Sequence, residues 1–483
     1  MRVLVSVHDK SGLAEFAQGL AGLGAELVAS GGTAAFLEEH GLEVTSVEEL
    51  TEVPELLGGR VKTLHPRVHA AILARHEDDL SEHSIEPFDL VCVNLYPFES
   101  DPGVELVDVG GPAMLRGAAK NFARVVAVSR PDQYDQVLAE LREGGEVAEE
   151  TRRRLAAEAF AATARYDTAI AAWLAGRERL GLVFERERQL AYGENPHQRA
   201  AYYVEPGKPH LLSGVEQLHG RELSFNNLND LAGAVRLARE LDGPACVIVK
   251  HANPCGVAVA DTVEQAYERA LGADPVSAYG GVVVLTRQVT APLGEALARQ
   301  FVEVLLAPGY ETLAPLAAKP NVRILAGALA PVDELDLKRV PGGLLVQDAD
   351  VSEDELEPVC GEPTEAQRAD LEFAWTVCKH VASNAIVLAK DGRTIGIGAG
   401  QMSRVDAVRI AVEKAREHGH ELAGAVLASD AFFPFADGPR LALEAGVAAI
   451  VQPGGSKRDE EVVAAVREAG AAMAFTDRRH FRH

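Results

Sequence analysis

The strongest constraint on the fold is an alternation in which short apolar runs give way to helical patterns, with glycine, proline or polar turn residues between them. Residues 3–7 read as a buried strand, 13–22 as a helix, 26–30 as a second strand and 34–40 as a second helix. The runs 90–94 and 125–129 repeat the strand signal. Strands that alternate with helices predict a parallel sheet covered on both sides. Such sheets bind ligands beyond the carboxyl ends of their strands. A long helical pattern over about 146–174 follows, then a charged stretch, 177–188, that reads as a connector. The boundary is expected near 185–195, giving a first domain of 1–188 and a second of 189–483.

The second part is again α/β. Its strand candidates are 246–250, 282–285, 385–389, 425–429 and 448–451, with helices at 228–241, 364–381 and 405–418. The stretches GADPVSAYGG (272–281) and ASDAFFPFADG (428–438) hint at an internal duplication. The region 307–360, rich in proline, glycine and acidic residues, reads as the connection between two halves.

Composition removes several classes of function. A chain of 483 residues exceeds one ordinary core, so two or three domains are expected. A net charge of -25 repels nucleic acid and anionic membranes, so neither is an expected partner. A phosphate-bearing small molecule would have to be captured by a local basic pocket. The five cysteines form no C-x-x-C pair, which disfavours a zinc ribbon or a redox dithiol. A long, cysteine-poor chain fits a reducing cytoplasm. The first apolar run is too short for a signal peptide, and no uncharged stretch approaches the roughly 18 residues that span a bilayer.

Four stretches of the first part carry candidate chemistry. Ser30-Gly31-Gly32-Thr33 lies between a strand and a helix. Its glycines allow close approach to an anion, and the helix start offers free N–H groups to phosphate. The plainer reading is a tight turn with Thr33 as N-cap. RVKTLHPRVHA (60–70) concentrates Arg60, Lys62, Arg67 and two histidines in an otherwise acidic chain. It reads as an anion pocket, or more plainly as a solvated loop. CVNLYPF (92–98) places Asn94 and Tyr96 just past a strand, where Pro97 stops the ladder. VDVGGPAMLRGAAKN (107–121) is read with Asp108 ending a strand, Gly110-Gly111-Pro112 turning into a helix, and Lys120 two turns further on.

In the second part, VIVKHANPCG (247–256) runs a buried strand into Lys250-His251, with Asn253, Pro254 and Gly256 expected to break the strand. A neutral imidazole is a general base, and a neighbouring ammonium favours the neutral form. The lysine could stabilise developing negative charge on oxygen. Adjacent residues in a regular strand face opposite sides, so joint action requires an irregular strand end. A structural histidine beside a snorkelling lysine is the plainer reading. HANPCG lacks the glutamate and the second cysteine of a zinc deaminase. GIGAGQMSR (396–404) carries Ser403 where a dinucleotide fingerprint needs its third glycine, which speaks against a nicotinamide oxidoreductase.

DKSG, SGGT, RVKTLHP, NLYPF, DVGGPAMLRGAAKN, YGENPHQ, VKHANPCG, SNAIVLAKDGRTIGIGAGQMSR and SDAFFPFAD occur here in one order. With these motifs the chain resembles, over essentially its whole length, the bifunctional aminoimidazole carboxamide ribonucleotide (AICAR) transformylase/IMP cyclohydrolase family. The resemblance implies a methylglyoxal-synthase-like cyclohydrolase domain, followed by a transformylase of two cytidine-deaminase-like units without zinc. It implies cyclohydrolase catalytic groups at Lys62, Tyr96, Asp108 and Lys120. Nucleotide contacts are implied at Ser6, Lys10, Ser30, Gly31, Gly32, Thr33, Arg60, Thr63, Asn94, Gly110 and Gly111. For the transformylase it implies Lys250, His251 and Asn384 as catalytic. Tyr192, Gly193, Asn227, Gly280, Glu303, Asp430, Phe432 and Arg479 then bind nucleotide or folate. The implied co-substrate is 10-formyltetrahydrofolate, with no catalytic metal, and the implied assembly is a homodimer.

Four positions depart from the family pattern. Ala191 stands where relatives commonly carry arginine, leaving Arg199 as the cation that could compensate, and His8 stands where they often carry serine. Val381 and Ala385 flank the SN motif where hydroxyl residues would serve a monovalent cation, so bound potassium is not an expectation. The rival reading, a non-catalytic nucleotide sensor, leaves the joint presence of Lys62, Tyr96, Asp108, Lys120 and Lys250-His251 without a purpose.

Overall fold

Consecutive buried residues along the first strand set the architecture of the amino-terminal part. Val3, Leu4 and Val5 are all fully buried, which requires cover on both faces of their sheet. The computed structural model describes residues 1–76, 80, 82–329 and 335–483, and these form two compact units, 1–184 and 185–483.

Unit 1 runs β1 (Arg2–Ser6), α1 (Leu13–Gly22), β2 (Glu26–Ala29), α2 (Gly31–Glu39), β3 (Val44–Ser46), α3 (Val47–Thr51), α4 (Pro66–Leu73), β4 (Leu90–Val93), α5 (Gly110–Lys120), β5 (Val126–Val128), α6 (Tyr134–Gly144) and α7 (Glu149–Ala175). Its five strands are parallel in the order β3-β2-β1-β4-β5. Val3 and Val5 point into a core with Phe16, Leu20, Tyr134 and Leu138, and Leu4 into a core with Ile72, Met114 and Ala156. Strand order reverses between β1 and β4, so their carboxyl ends flank the crevice where such sheets take ligands. Asp108 does not end a strand. It lies in the loop between a single 3₁₀ turn, Val104–Leu106, and α5.

Unit 2 opens with a hairpin of β6 (Glu185–Gln189) and β7 (Ala201–Val204), which takes in part of the expected connector. Its first half then runs β8 (Val215–His219), α8 (Phe225–Arg239), β9 (Ala245–Lys250), β10 (Asn253–Val259), α9 (Val263–Ala273), β11 (Gly281–Leu285), α10 (Ala291–Arg299), β12 (Val302–Ala307), α11 (Ala314–Ala317) and β13 (Arg323–Gly327). A second hairpin follows, β14 (Leu335–Val340) and β15 (Gly343–Asp348). The second half repeats the first: β16 (Glu357–Cys360), α12 (Glu365–Lys379), β17 (Ile386–Lys390), β18 (Arg393–Gly398), α13 (Arg404–Glu417), β19 (Val426–Ser429), α14 (Asp437–Ala445), β20 (Ala449–Gln452), α15 (Asp459–Glu468) and β21 (Ala472–Phe475).

The twelve strands form one sheet, β16-β21-β20-β19-β17-β18-β10-β9-β11-β12-β13-β8. Read from either edge to the centre, each half has the same strand sequence. Two pairs of equivalent residues meet across the join: Glu240 with His380 at 3.0 Å and Asp274 with Lys414 at 2.9 Å, each pair 140 positions apart. A residue that contacts its own counterpart marks a two-fold relation, here inside one chain. The duplication is therefore present, but not in the register expected from the sequence. Residues 272–281 run from the end of α9 to the first residue of β11, whereas 428–438 begin within β19. The region 307–360 is also more than a connection, because β13 and β16 within it form part of the main sheet.

Candidate functional sites in the two units

In unit 1 the expected phosphate loop is built around two helix starts. Ser30 precedes α2, and its hydroxyl meets that of Ser6, at the end of β1, at 2.8 Å. Ser30, not Thr33, is the N-cap. Thr33 is buried inside the first turn, where its hydroxyl accepts from Val7 N at 3.1 Å and donates to Val7 O at 3.2 Å, fixing α2 against β1. Gly32 lies beside it in the same turn. The Lys62 ammonium stands so close to Gly31 that a Cβ there would meet it at 3.1 Å. Buried Thr63 lies against the start of α5, where a Cβ on Gly110 would fall 2.5 Å from its hydroxyl oxygen. A lysine placed with two helix amino termini suits a phosphate, because both the free N–H groups and the helix dipoles favour negative charge. Lys62 pairs with Glu55 at 2.9 Å, a partner the motif reading missed.

The other groups are arranged more widely. The Asn94 amide is committed to the loop after β1: it accepts from His8 N at 2.6 Å and Asp9 N at 3.0 Å, and donates to Asp9 O at 2.8 Å. Asn94 thereby shapes the pocket wall. Exposed Tyr96 packs edge-on to His8, ring centroids 5.5 Å apart. The Lys10 ammonium lies 5.9 Å from the centre of the Phe36 ring, and Arg60 pairs with Glu105.

Asp108 accepts from Gly111 N at 2.9 Å, and its own N–H donates to the Tyr166 hydroxyl at 2.7 Å. Burial pushes its carboxyl above the usual aspartate range, against the opposing hydrogen bonds from Gly111 and Gly110. Lys120 is at the far end of α5, about 15 Å along the helix from Gly110. The structure therefore does not bring Lys120 to the Lys62 cradle. It shares instead with Asp108 a groove of about 640 Å³ along one face of α5, together with His69, Arg116 and Asp167. Burial holds His69 below the usual histidine range. His69 is one of the two histidines of the 60–70 stretch, whereas sequence reasoning missed Tyr166, whose signal is a place on a helix face.

In unit 2, Lys250 ends β9 and His251 occupies the turn that follows. This is the irregular strand end that joint action requires. Asn253 and Pro254 do not break the strand, because the chain reverses at His251-Ala252 and Asn253 resumes as β10. β10 pairs with β18 only at Ala258, so Pro254 lies on a stretch that loses no ladder bond, beside a bulge between Pro254 and Gly256. His251 is exposed, and Lys250 donates to the carbonyls of Tyr279 at 3.0 Å and Gly280 at 2.8 Å. His251 and Ala252 both adopt left-handed backbone, φ 52° and 60°. Each such non-glycine residue costs about 1–2 kcal/mol.

The SN motif is tied to this turn by the Asn253 side chain, whose Oδ1 accepts from Ala382 N at 2.8 Å and whose Nδ2 donates to His251 O at 3.2 Å. Asn384 donates to Gln401 O at 2.7 Å and accepts from Arg404 at 2.7 Å. Arg404 also binds Ser429 at 2.8 Å and pairs with Asp430, which is fully buried and accepts from Ser383 as well. Asp430 thus supports the Asn384 segment from beneath, while Phe432 beyond it is exposed.

Asn227 caps α8 reciprocally with Ser224 and donates to Glu303 at 3.3 Å, which Arg323 holds at 3.0 Å. Tyr192 O accepts from Phe225 N at 3.2 Å, and Gly193 N donates to Gln198 O at 2.8 Å. The Arg479 guanidinium is exposed and lies 4.6 Å from the centre of the Phe481 ring. Ala191 and Arg199 are both exposed, whereas Val381 and Ala385 are fully buried and offer no side-chain oxygen. Among the described residues, no group of three or more His, Cys, Asp or Glu side chains is placed to hold a metal ion, and no helix is long and apolar enough to cross a membrane.

Comparison with known proteins covers the same ground. The family described as AICARFT/IMPCHase bienzyme matches residues 118–414, and the MGS-like domain matches 12–109. A bifunctional purine biosynthesis protein PurH from Magnetococcus marinus is 48% identical, covering 100% of this chain and 99% of its own. PurH from Cereibacter sphaeroides is also 48% identical, covering 100% and 98%. A solved structure described as the crystal structure of ForH is 43% identical over 35% of this chain and 97% of its own, with a TM-score of 0.33.

Proposed function

The chain belongs to the AICARFT/IMPCHase bienzyme family, and from that membership we propose how its two units divide the work. The protein is a bifunctional enzyme of purine biosynthesis, an AICAR formyltransferase and an IMP cyclohydrolase. Unit 2 transfers a formyl group from 10-formyltetrahydrofolate to the 5-amino group of AICAR, and unit 1 closes the formylated product to IMP.

The observation that carries this reading is the hairpin tip, where an exposed imidazole adjoins a lysine held by two carbonyls. The 5-amino group is a weak nucleophile. His251 takes its proton as nitrogen attacks the formyl carbon. Lys250 stabilises the oxygen of the tetrahedral intermediate, and Asn384 orients the reactants. The bond from that carbon to the folate nitrogen then breaks, and tetrahydrofolate leaves with the proton. In unit 1 the helix starts, with Ser30, Gly31, Thr63 and Gly110, hold the phosphate. The carboxamide nitrogen attacks the formyl carbon, and water leaves. Lys62 and Tyr96 stabilise the oxygen, Asp108 deprotonates or orients the amide, and Lys120 assists proton transfer along the α5 groove. The remaining expectations, a homodimer working in the cytoplasm on small molecules without a catalytic metal, accompany this reading.

The test supplies AICAR and 10-formyltetrahydrofolate and follows tetrahydrofolate release and IMP appearance separately. His251→Ala should abolish the first, whereas Lys62→Ala should leave it intact and impair the second. Loss of both half-reactions in either folded variant defeats the two-site reading.

A further inference from the structure

The two halves of unit 2 turn their central hairpins in the same way with different residues. The β9–β10 turn uses His251 (φ 52°) and Ala252 (φ 60°), and the β17–β18 turn uses Asp391 (φ 54°) and Gly392 (φ 68°). A two-residue turn of this kind needs left-handed backbone at both central positions, and Asp-Gly is a preferred pair for it. The second turn therefore keeps its shape by its own sequence. His-Ala has no such preference and must be held.

In each half one helix aspartate holds the turn. Asp230 of α8 accepts from His251 N at 3.3 Å and Ala252 N at 2.7 Å, spanning 21 and 22 positions. Asp370 of α12 accepts from Asp391 N at 2.8 Å and Gly392 N at 2.6 Å, spanning the same 21 and 22 positions. A carboxylate suits this role because each oxygen takes one N–H, whereas an amide would aim its own NH₂ at the second donor.

We propose that Asp230 is a positioning residue for formyl transfer: its carboxylate imposes the left-handed turn that presents His251 beside Lys250. Asp370 makes the same clamp on a turn that carries no group of the proposed site. This inference rests on the reading of His251 as general base.

The test uses the full-length protein. Asp230→Asn should lower kcat for formyl transfer roughly 10–100-fold, the scale of a small misplacement of a reacting group. KM for AICAR and the rate of ring closure should not change, which also shows that both units are folded. Asp370→Asn should leave formyl transfer unaltered. Adding Ala252→Gly to Asp230→Asn should restore most of the lost rate, since glycine takes the turn without a clamp. General damage to α8 could not be repaired from the turn. The proposal is overturned if Asp230→Asn keeps full kcat, if both aspartate variants lose the same rate, or if Ala252→Gly recovers none of it. A normal formyl transfer rate in His251→Ala would instead remove the reading of the site beneath it. Abolition in His251→Ala with no effect of Asp230→Asn would remove only the positioning role.

Discussion

The two units build their sites from opposite kinds of backbone. Unit 1 uses relaxed elements: strand ends and two helix starts whose free N–H groups already favour an anion. Unit 2 uses a hairpin tip bent through two left-handed non-glycine residues. An anion site needs stationary dipoles, which regular helices supply. A general base beside an oxygen-stabilising cation must share one face, and a regular strand would separate Lys250 from His251. The strained turn is how the chain brings them together.

That contrast sets the order of expected effects. The largest belongs to His251→Ala, with formyl transfer reduced about 10²–10⁴-fold, the range of general acid–base catalysis. Lys62→Ala should reduce ring closure about 10²-fold, the scale of removing one stabilising group from the oxygen. Gly111→Ala tests the relaxed site more finely. Its Cβ would lie 2.2 Å from Asp108 Oδ2 and must displace that carboxylate, so ring closure should slow about tenfold with formyl transfer untouched. Equal slowing of both reactions would show that the damage is to the fold.

The smallest effect concerns stability. His480 lies buried between Asp350 and Asp354 and packs on Trp375. Burial alone would lower its pKa, but hydrogen bonds and charge attraction from both aspartates outweigh it and leave the pKa raised. A histidine with a raised folded pKa gives stability that is complete below the unfolded value of about 6.5 and disappears as pH rises through the folded value. Unfolding temperature should therefore fall across that window in the parent protein and stay flatter in His480→Ala, as thermal melts at stepped pH would register.

Much of unit 1 was legible because its signals are local. SGGT and DVGGP each sit where a strand-to-loop or loop-to-helix change puts polar groups at a sheet's edge. Lys120 was less legible. Spacing placed it on the helix, but only the structure shows that it faces the α5 groove and not the Lys62 cradle. In unit 2 the hairpin was hidden because Pro254 and Gly256 read as strand breakers, while the sparse pairing of β10 and a bulge accommodate them. The duplication was sought in the aromatic segments, although the repeated feature is an aspartate set 21 and 22 positions ahead of a turn. Asp230 carries no motif of its own. Its role exists only once α8 packs beside the hairpin.

The central claim, that the two chemistries belong to separate constellations, is tested most directly by bypassing the first. Formylated AICAR, prepared chemically, would be given to His251→Ala in place of AICAR and folate, and IMP formation followed by its absorbance. The account predicts the parent rate of IMP formation from a variant that cannot make its own intermediate. A rate depressed to the level of its formyl transfer would mean that one constellation serves both reactions.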